Sequence, residues 1–384
     1  MSAGDETTVA DADSEELLAL REAVRDFLAA RSDEAAVREV MIGERGYDEK
    51  VWSQMAEQLG LQSLVLPEAH GGDDAGFVAL SVVLEEMGRA LLPAPFFSSV
   101  VLAATALVAA GDDEAAGRLL PGIAAGTTLA TLAAPGPDGA WHTGEGALAV
   151  AASPADGGGL VLDGTAGIVL DGATADEILL VVAAPEGPTL VSVPGDASGL
   201  TRTALRTLDP TRRFASLTLA QTPATVIGQP GAAGPVLAQV LDVATAALAA
   251  EQVGGARACL ETATAYAKDR VQFGRQIGSF QAVKHKLADM LARVQLADAA
   301  AREAAAVLDG ADPEGDPGVA SAVAHIVASE AYMSVAAENI QVHGGIGFTW
   351  EHPAHLYFRR AKSSQLLFGG PNAYHERLLA RVGI

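Results

Sequence analysis

The sequence predicts an α+β protein with an N-terminal all-α domain, a small middle β-barrel or sandwich domain, and a C-terminal antiparallel four-helix bundle. Apolar side chains recur at spacings of three and four residues in the first domain, 1–126. Short apolar runs divided by Gly, Pro and Asp fill the middle domain, 127–225. Long Ala- and Leu-rich segments with helical spacing return in 226–384. The length of 384 residues also favours several packed domains over one hydrophobic core.

The first domain begins with a segment that has the pattern of an amphipathic helix. In "SEELLALREAVRDFLAAR", Ser14 is followed closely by Glu, as at many helix starts. Further helices are separated by Pro and Gly-Gly. Residues 1–14 are acidic and polar, without the basic start and apolar middle of a secretory signal. They are predicted to form a frayed tail, and the protein is expected to be cytoplasmic.

The middle domain shows strand-like segments at short intervals. Segments rich in Val, Ile, Leu and Thr and bounded by turn residues favour short strands. They are "GALAVAAS", "GGLVLDG", "EILLVVAA", "TLVSVP" and "FASLTLAQT".

The last domain contains four segments with helical spacing. They cover Val236–Arg270, Gln281–Leu308, Gly318–His343 and a final stretch after Asn372. Helices of this length joined by short connections predict an antiparallel bundle. A cleft where this bundle meets the other two domains is a usual place for a ligand or cofactor.

Charge and composition exclude several classes of partner. A formal net charge of −23 argues against nucleic acid or an anionic membrane surface, because both require clustered Lys and Arg. The sequence has no uninterrupted apolar run of about 18 residues, so no membrane span is predicted. A single cysteine, Cys259, permits neither an intrachain disulfide nor a cysteine-based metal site, and no metal is predicted. Within this acidic chain, residues 267–286 are locally basic, which indicates an anionic ligand.

Two motifs in the C-terminal domain carry a resemblance to a known family. One is "RVQFGRQIGSFQAVKHKLADM", between the first two bundle helices, and the other is "QVHGGIGFTWEHPAHLYFRRAK", after the third. Together, in this domain order, they resemble the acyl-CoA dehydrogenase family. Weaker similarity covers "LVLPEAHGGDDAG" and "VLEEMGRALLPAPF" in the first domain. The resemblance implies the acyl-CoA dehydrogenase fold and α,β-dehydrogenation of an acyl-CoA thioester with FAD.

The resemblance further implies that both motifs contact the pyrophosphate and adenine half of an FAD that belongs to the neighbouring subunit. The chemistry of the residues suits this role, because Arg270 and Arg275 can meet a pyrophosphate and Phe273 offers an apolar face to a ring. Backbone amides beside glycines can form a polar cradle. The predicted cofactor-binding residues are Arg270, Phe273, Gln281, Gln341, Gly344 and Gly345.

The catalytic base of the family has no counterpart at its usual positions. A glutamate removes the α-proton of the thioester and must be held away from water. In many members it follows the Arg of the signature by nine residues, and counting from Arg359 gives Phe368. In others it lies early in the first bundle helix, where this chain has Ala244. Glu251 is a weak candidate on the same helix, about 10 Å further along its axis.

The segments that hold a subunit's own flavin in the family also differ here. They read "LAAPGPDGAW" and "GTAGIVLDGATADEILLV", so Ala133, Ala134, Ile168 and Val169 supply few hydroxyls or aromatic rings. Residues that serve a neighbour's FAD are kept, which predicts a complementary pair of chains. The resemblance is to bacterial heteromeric acyl-CoA dehydrogenases of lipid and steroid degradation. The expected partners are a homologous subunit in a heterotetramer or a homo-oligomer, an acyl-CoA thioester, and an electron-transfer flavoprotein or similar acceptor.

Other interpretations stay open from the sequence. The chain could be a self-sufficient homotetramer that uses Glu251 as an unusual base, which predicts full flavin loading and turnover by the chain alone. It could instead be a non-catalytic scaffold subunit, although Arg270, Phe273 and Gln281 argue against this. A different flavin reaction on the same fold is not favoured by any feature.

Overall fold

The computed structural model describes residues 7–136, 139, 141, 148–155 and 159–384, and its elements follow the predicted order. The helices are α1 (Thr7–Arg31), α2 (Glu34–Ile42), α3 (Glu49–Leu59), α4 (Gly76–Arg89), α5 (Ala104–Ala109), α6 (Asp113–Ala124), α7 (Ala233–Asp269), α8 (Gln281–Leu308), α9 (Pro317–His343), α10 (Ala354–Leu366) and α11 (Pro371–Val382). The strands are β1 (Ala130–Leu132), β2 (Val150–Pro154), β3 (Leu160–Leu170), β4 (Glu177–Ala184), β5 (Gly187–Pro194), β6 (Leu200–Ala204), β7 (Phe214–Val226), β8 (Val271–Gln272) and β9 (Arg275–Gln276).

The N-terminal domain is helical, as predicted, but its first helix begins earlier. Helix α1 starts at Thr7, so the expectation of a frayed tail is wrong for residues 7–14, while residues 1–6 lie outside the described part. Arg25 of α1 binds Glu86 of α4 with its Nε at 2.9 Å and its Nη2 at 2.7 Å. A π-helical segment, Phe97–Ala103, continues into α5 and is fully buried. These contacts place α4 and the π-helical segment at the centre of the domain.

The middle domain is a small barrel. Strands β4, β2, β3, β7 and β5 pair in this order, and the pairing of β4 with β5 closes the ring. Strand β1 adds to β4 in parallel, and β6 adds to β7. Side chains such as Leu162, Ile178, Val191 and Leu217 fill the interior. The predicted run "GALAVAAS" is only partly described, because its first two residues lie outside the described residues.

The C-terminal domain is built on three long helices, α7, α8 and α9, near the predicted bounds. The prediction of one further helix after Asn372 was incomplete, because α10 precedes it and Pro371 begins α11 as a separate helix. The break lies at Gly369, whose φ of 108° is open mainly to glycine. The loop between α10 and α11 therefore projects from the bundle toward the other two domains.

Helices α4 and α7 cross at unusually short range. A Cβ on Gly88 would lie 2.0 Å from the carbonyl oxygen of Glu251, and one on Gly254 would lie 1.8 Å from that of Glu85. Asp309, after α8, accepts hydrogen bonds from the first amides of α4, with its Oδ2 2.7 Å from the nitrogen of Val78. These contacts pack the first domain tightly against the third, and the α4–α7 crossing lies at Glu251.

Two apolar helical segments have the length and composition of a membrane span. They are α7 and the stretch Pro317–Phe348. Within the most apolar window of each, 67% and 56% of the residues are buried inside the protein. This burial is typical of core helices, which pass the same test.

Candidate functional site

Phe368 lies at the junction of the three domains. Its side chain is 6% exposed, and its ring stacks on Phe97 at 5.8 Å and meets Trp141 edge-on at 5.1 Å between centroids. The loop residues 367–370 read Leu-Phe-Gly-Gly, without an ionisable group. A buried aromatic ring therefore occupies the position at which many members of the resembled family carry the base.

A buried histidine of α9 contacts the loop that carries Phe368. His325 of α9 is fully buried, and its Nε2 lies 3.1 Å from the carbonyl oxygen of Gly369. Burial lowers the pKa of His325 to about 4, so the ring is neutral at physiological pH. Tyr374 of α11 packs on the same ring, with centroids 4.4 Å apart.

Ala244, the second position at which the family carries a base, is fully buried in the apolar core of α7. A methyl side chain there can only pack. Neither usual position offers acid–base chemistry.

Glu251 is held in a buried ion cluster. Its Oε1 accepts from Arg212 at 2.5 Å and from Arg360 at 2.7 Å. Burial alone would raise the pKa of Glu251, but the two guanidinium groups lower it below its ordinary value. A carboxylate held in this way is a poor proton acceptor, which weighs against Glu251 as an unusual base.

The cluster continues beyond Glu251. Arg360 donates to the carbonyl oxygen of Thr211 at 3.0 Å, and its Nε lies 3.2 Å from a carboxylate oxygen of Asp209. Asp209 in turn accepts from the Thr211 hydroxyl at 2.5 Å. The cluster thereby ties α10 to the loop before β7.

Only a small cavity of about 30 Å³ remains beside the cluster. Its lining includes Asp171, which accepts from the Ser98 hydroxyl at 2.6 Å. Burial raises the pKa of Asp171 to about 6, although nearby arginines oppose the rise. A cavity of this size has room for one or two water molecules and none for an acyl thioester.

A larger apolar groove of about 640 Å³ lies on the other side of Phe368, between the barrel and α10. Ile168, one of the positions where the sequence lacks a ring-holding group, lines it together with Leu208 and Leu366. Ala133 and Val169 instead point into the barrel core, and Ala134 is buried. Part of the neighbouring segment, residues 137, 138 and 140, lies outside the described residues.

The first predicted flavin-binding segment forms an exposed hairpin after α7. Strands β8 and β9 pair through a two-residue turn, in which Phe273 and Gly274 both have positive φ. Such turns match the twist of a hairpin. Phe273 is 91% exposed, and Arg270 and Arg275 are also exposed. The turn presents an aromatic ring between two guanidinium groups.

The start of α8 lies against this hairpin. Phe280 meets the ring of Phe273 edge-on at 6.2 Å and carries the guanidinium of Arg275 over its face at 4.1 Å. Gln281, the next residue, is exposed and pairs with His285 at 2.9 Å. Lys284 adds an exposed positive charge. The basic residues predicted to meet an anion therefore lie on one face.

The second predicted segment lies at the same end of the bundle. Gln341, Gly344 and Gly345 are exposed where α9 ends, and a Cβ on either glycine would meet no atom within 4 Å. The ring of His343 packs on Tyr266 of α7 at 4.4 Å. Since Tyr266 lies one turn before Arg270, this contact brings the two predicted segments together.

The comparisons with known proteins fit this geometry. Residues 14–127 match the family model "Acyl-CoA dehydrogenase, N-terminal domain", and residues 234–384 match "Acyl-CoA dehydrogenase, C-terminal domain". The chain belongs to the acyl-CoA dehydrogenase family. The acyl-CoA dehydrogenase IpdE2 of Mycobacterium tuberculosis is 37% identical over 96% of this chain and 98% of its own length.

Two solved heteromeric enzymes share the fold. A variant of the steroid ACAD Tcur3481–Tcur3483 is similar with a TM-score of 0.85 and 34% identity, over 97% of this chain and 98% of that one. The ChsE4–ChsE5 complex from Mycobacterium tuberculosis gives a TM-score of 0.85 and 29% identity, over 96% and 97%. The predicted family, fold class and enzyme class are confirmed. The predicted site residues stay predictions.

A cluster of histidines adjoins the second predicted flavin-binding segment of this acyl-CoA dehydrogenase. His343 donates through Nδ1 to the carbonyl oxygen of Asn339 at 2.8 Å, and its ring lies 4.2 Å from that of His352. Burial lowers the pKa of both rings, and for His352 the proximity of His343 and Arg38 adds to the effect. Both rings are therefore held neutral beside the turn.

Sequence reasoning did not find the ion cluster. Arg212, Arg360 and Asp171 were not predicted as site residues, because their partners are distant in the chain. Arg212 and Arg360 lie 39 and 109 residues from Glu251. The one available signal was the run "LDPTRRF", which places charged residues between apolar strands.

Proposed function

We propose that this chain is the subunit of a heteromeric acyl-CoA dehydrogenase that carries no catalytic base and completes the FAD site of a partner subunit. The observation that carries the proposal is Phe368, a buried aromatic ring at the expected position of the base. FAD would supply the hydride acceptor in the partner's site. The role of this chain is to bind and orient that cofactor.

The closed junction supports an active site on the partner. Arg212, Glu251 and Arg360 occupy the space beside the small cavity, so a thioester has no entry there. Glu251 is ionised and doubly paired, which leaves the homotetramer with Glu251 as base without a supporting observation. The acyl-CoA binds in the partner's cleft instead.

The exposed hairpin supports the role toward a neighbouring FAD. Arg270 and Arg275 would meet the pyrophosphate, and the ring of Phe273 would lie against the adenine. Gln341 and the amides of Gly344 and Gly345 would provide polar contacts from α9. A pure scaffold would have no use for this combination of charge, aromatic ring and open backbone.

The relatives support the choice of substrate class. One similar structure is a steroid ACAD, so we propose a bulky steroid-derived acyl-CoA as the substrate of the complex. We also propose a cytoplasmic heterotetramer that passes its electrons to an electron-transfer flavoprotein or a similar acceptor.

The test is the ratio of flavin to protein for this chain purified alone and co-expressed with a homologous subunit that has the Glu. We expect a colourless chain alone and a yellow complex with about half a flavin per chain, bleached by acyl-CoA. Phe273→Ala and Arg270→Ala should release flavin from the complex. Leu208→Ala, a change on the exposed groove of this chain, is the matched control and should keep it.

Two outcomes would contradict the proposal. One is a full flavin per chain in the homomer, with bleaching by acyl-CoA. The other is a complex that keeps its flavin in both hairpin variants. The first outcome would make the chain a self-sufficient enzyme, and the second would leave it a scaffold.

A further inference from the structure

The interface between α7 and α9 is polar where a helix bundle is normally apolar. Five side chains of α9 share one face, at successive spacings of four, four, three and seven residues. Each is at most 1% exposed. They are Ser321, His325, Ser329, Tyr332 and Asn339.

At Tyr332 and Asn339 this face of α9 meets α7, while His325 also packs on Tyr374 of α11. A Cβ on Gly255 would lie 2.4 Å from the hydroxyl oxygen of Tyr332, and the side chain of Asn339 faces the thiol of Cys259. Both contacts advance in the same direction, so the two helices run parallel. Gln252, fully buried and three residues before Gly255, therefore lies level with Ser329.

These groups have polar atoms without a partner among the described residues. Both amide atoms of Gln252 are in this state, together with one atom from each of the five α9 side chains: Ser321 Oγ, His325 Nδ1, Ser329 Oγ, Tyr332 OH and Asn339 Oδ1. Buried polar atoms without a hydrogen bond are costly, and native proteins satisfy most of them with protein or ordered water. Seven such atoms along one interface require a common explanation.

The chemistry of His325 identifies the kind of partner that is missing. The carbonyl oxygen of Gly369 can only accept, so Nε2 of His325 carries the proton. In the neutral ring, Nδ1 is then an acceptor that needs a donor. Ser321 and Ser329 lie one turn away on either side along α9, so a small molecule that both donates and accepts suits this space.

We propose that the α7–α9 interface is a binding site for ordered water molecules, one of which donates to His325 Nδ1 while others bridge Gln252 to Ser329 and Tyr332. At roughly three hydrogen bonds per buried water, seven unpaired atoms correspond to about two or three waters. The water on Nδ1 satisfies the second nitrogen of this tautomer and thereby supports the contact of Nε2 with Gly369, in the loop that carries Phe368. The inference does not depend on the proposed function.

The test is a crystal structure of the full chain, alone or with its partner subunit, at a resolution that shows ordered water. We expect density at hydrogen-bond distance from both His325 Nδ1 and the amide of Gln252. A direct bond from the Gln252 amide to His325, or an interface without water density, would overturn the proposal.

A pair of variants adds a control. In Gln252→Leu the density between Gln252 and Ser329 should disappear. Gln62→Leu removes an equally buried amide, one that donates directly to the Trp52 carbonyl at 2.9 Å, and should leave that density unchanged. Density that persists in Gln252→Leu would show that the amide does not hold the water and would overturn its assignment.

Discussion

Replacing Arg360 with Met tests whether the ion cluster holds the domain junction together. Arg360 is 4% exposed, binds Glu251 at 2.7 Å and lies 3.2 Å from Asp209. Methionine fills much of the same volume, but the change leaves two buried carboxylates facing Arg212 alone. Breaking a buried ion pair by removing one partner costs about 3–5 kcal/mol. We expect the free energy of unfolding to fall by that amount.

The assay is equilibrium urea unfolding at neutral pH. The matched control is Arg377→Met, which removes a partly exposed guanidinium 2.6 Å from Asp242 while Arg381 stays at 3.0 Å. The control should lose less than about 1 kcal/mol, because Arg377 is partly exposed and Asp242 keeps its pair with Arg381. Equal losses in the two variants would refute the assignment of a stabilising role to burial of the cluster.

The double variant Glu251→Met, Arg360→Met separates charge from packing. It removes one carboxylate and one guanidinium, so Arg212 retains Asp209 and Asp171 as nearby countercharges. Replacing a buried pair with apolar side chains is often close to neutral. We expect the double variant to regain most of the stability lost by Arg360→Met, and a further loss would contradict the electrostatic account.

Three further predictions concern other parts of the molecule. Phe368→Glu is expected to give no acyl-CoA-dependent bleaching of flavin in the chain alone, because Ala133, Ala134, Ile168 and Val169 supply few groups that could hold a flavin of the chain's own; turnover would contradict this. Asp309→Ala should lower the free energy of unfolding by about 1 kcal/mol through loss of the cap on α4, and Asp309→Asn should lose less; equal losses would exclude capping as the cause. Below about pH 6.5 the protein should lose stability as the pH falls, since the lowered pKa of His352 makes the unfolded chain bind the proton first. His352→Gln should reduce that slope, and unchanged slopes in urea unfolding would contradict the assignment.

Local signals explain which parts of the fold the sequence predicted. The periodicity of α7, α8 and α9 is long enough to show, and the strands of the barrel are separated by clear turn residues. Helix α10 was missed because its 13 residues, AHLYFRRAKSSQL, are mostly polar after one short apolar run and show no clear apolar stripe. Its helical form depends on packing against the bundle, with Leu356 and Ala361 buried.

The candidate site was also predicted only where its residues are close together in the sequence. The absence of a base at Phe368 could be counted from Arg359, because the motif and the loop are adjacent in the chain. The ion cluster could not be predicted from the sequence, because Arg212 lies in the loop before β7, Glu251 in α7 and Arg360 in α10. Their proximity depends on contacts between residues 39 and 109 positions apart, which no local pattern encodes.

The missing base at Phe368 and the ion cluster beside the small cavity both support a subunit without an active site of its own. Phe368 by itself does not decide this, because the single substitution Phe368→Glu would place a carboxylate at the junction. The buried cluster lies close to that position, because the guanidinium of Arg212 lies 5.7 Å from the ring of Phe97, on which Phe368 stacks. A carboxylate at position 368 would lie near the same positive charge, which favours its ionised form and makes it a poorer acceptor of the α-proton. The hairpin around Phe273, by contrast, stays exposed and basic in a chain of net charge −23, so the chemistry that this chain retains faces outward, toward a cofactor in another subunit.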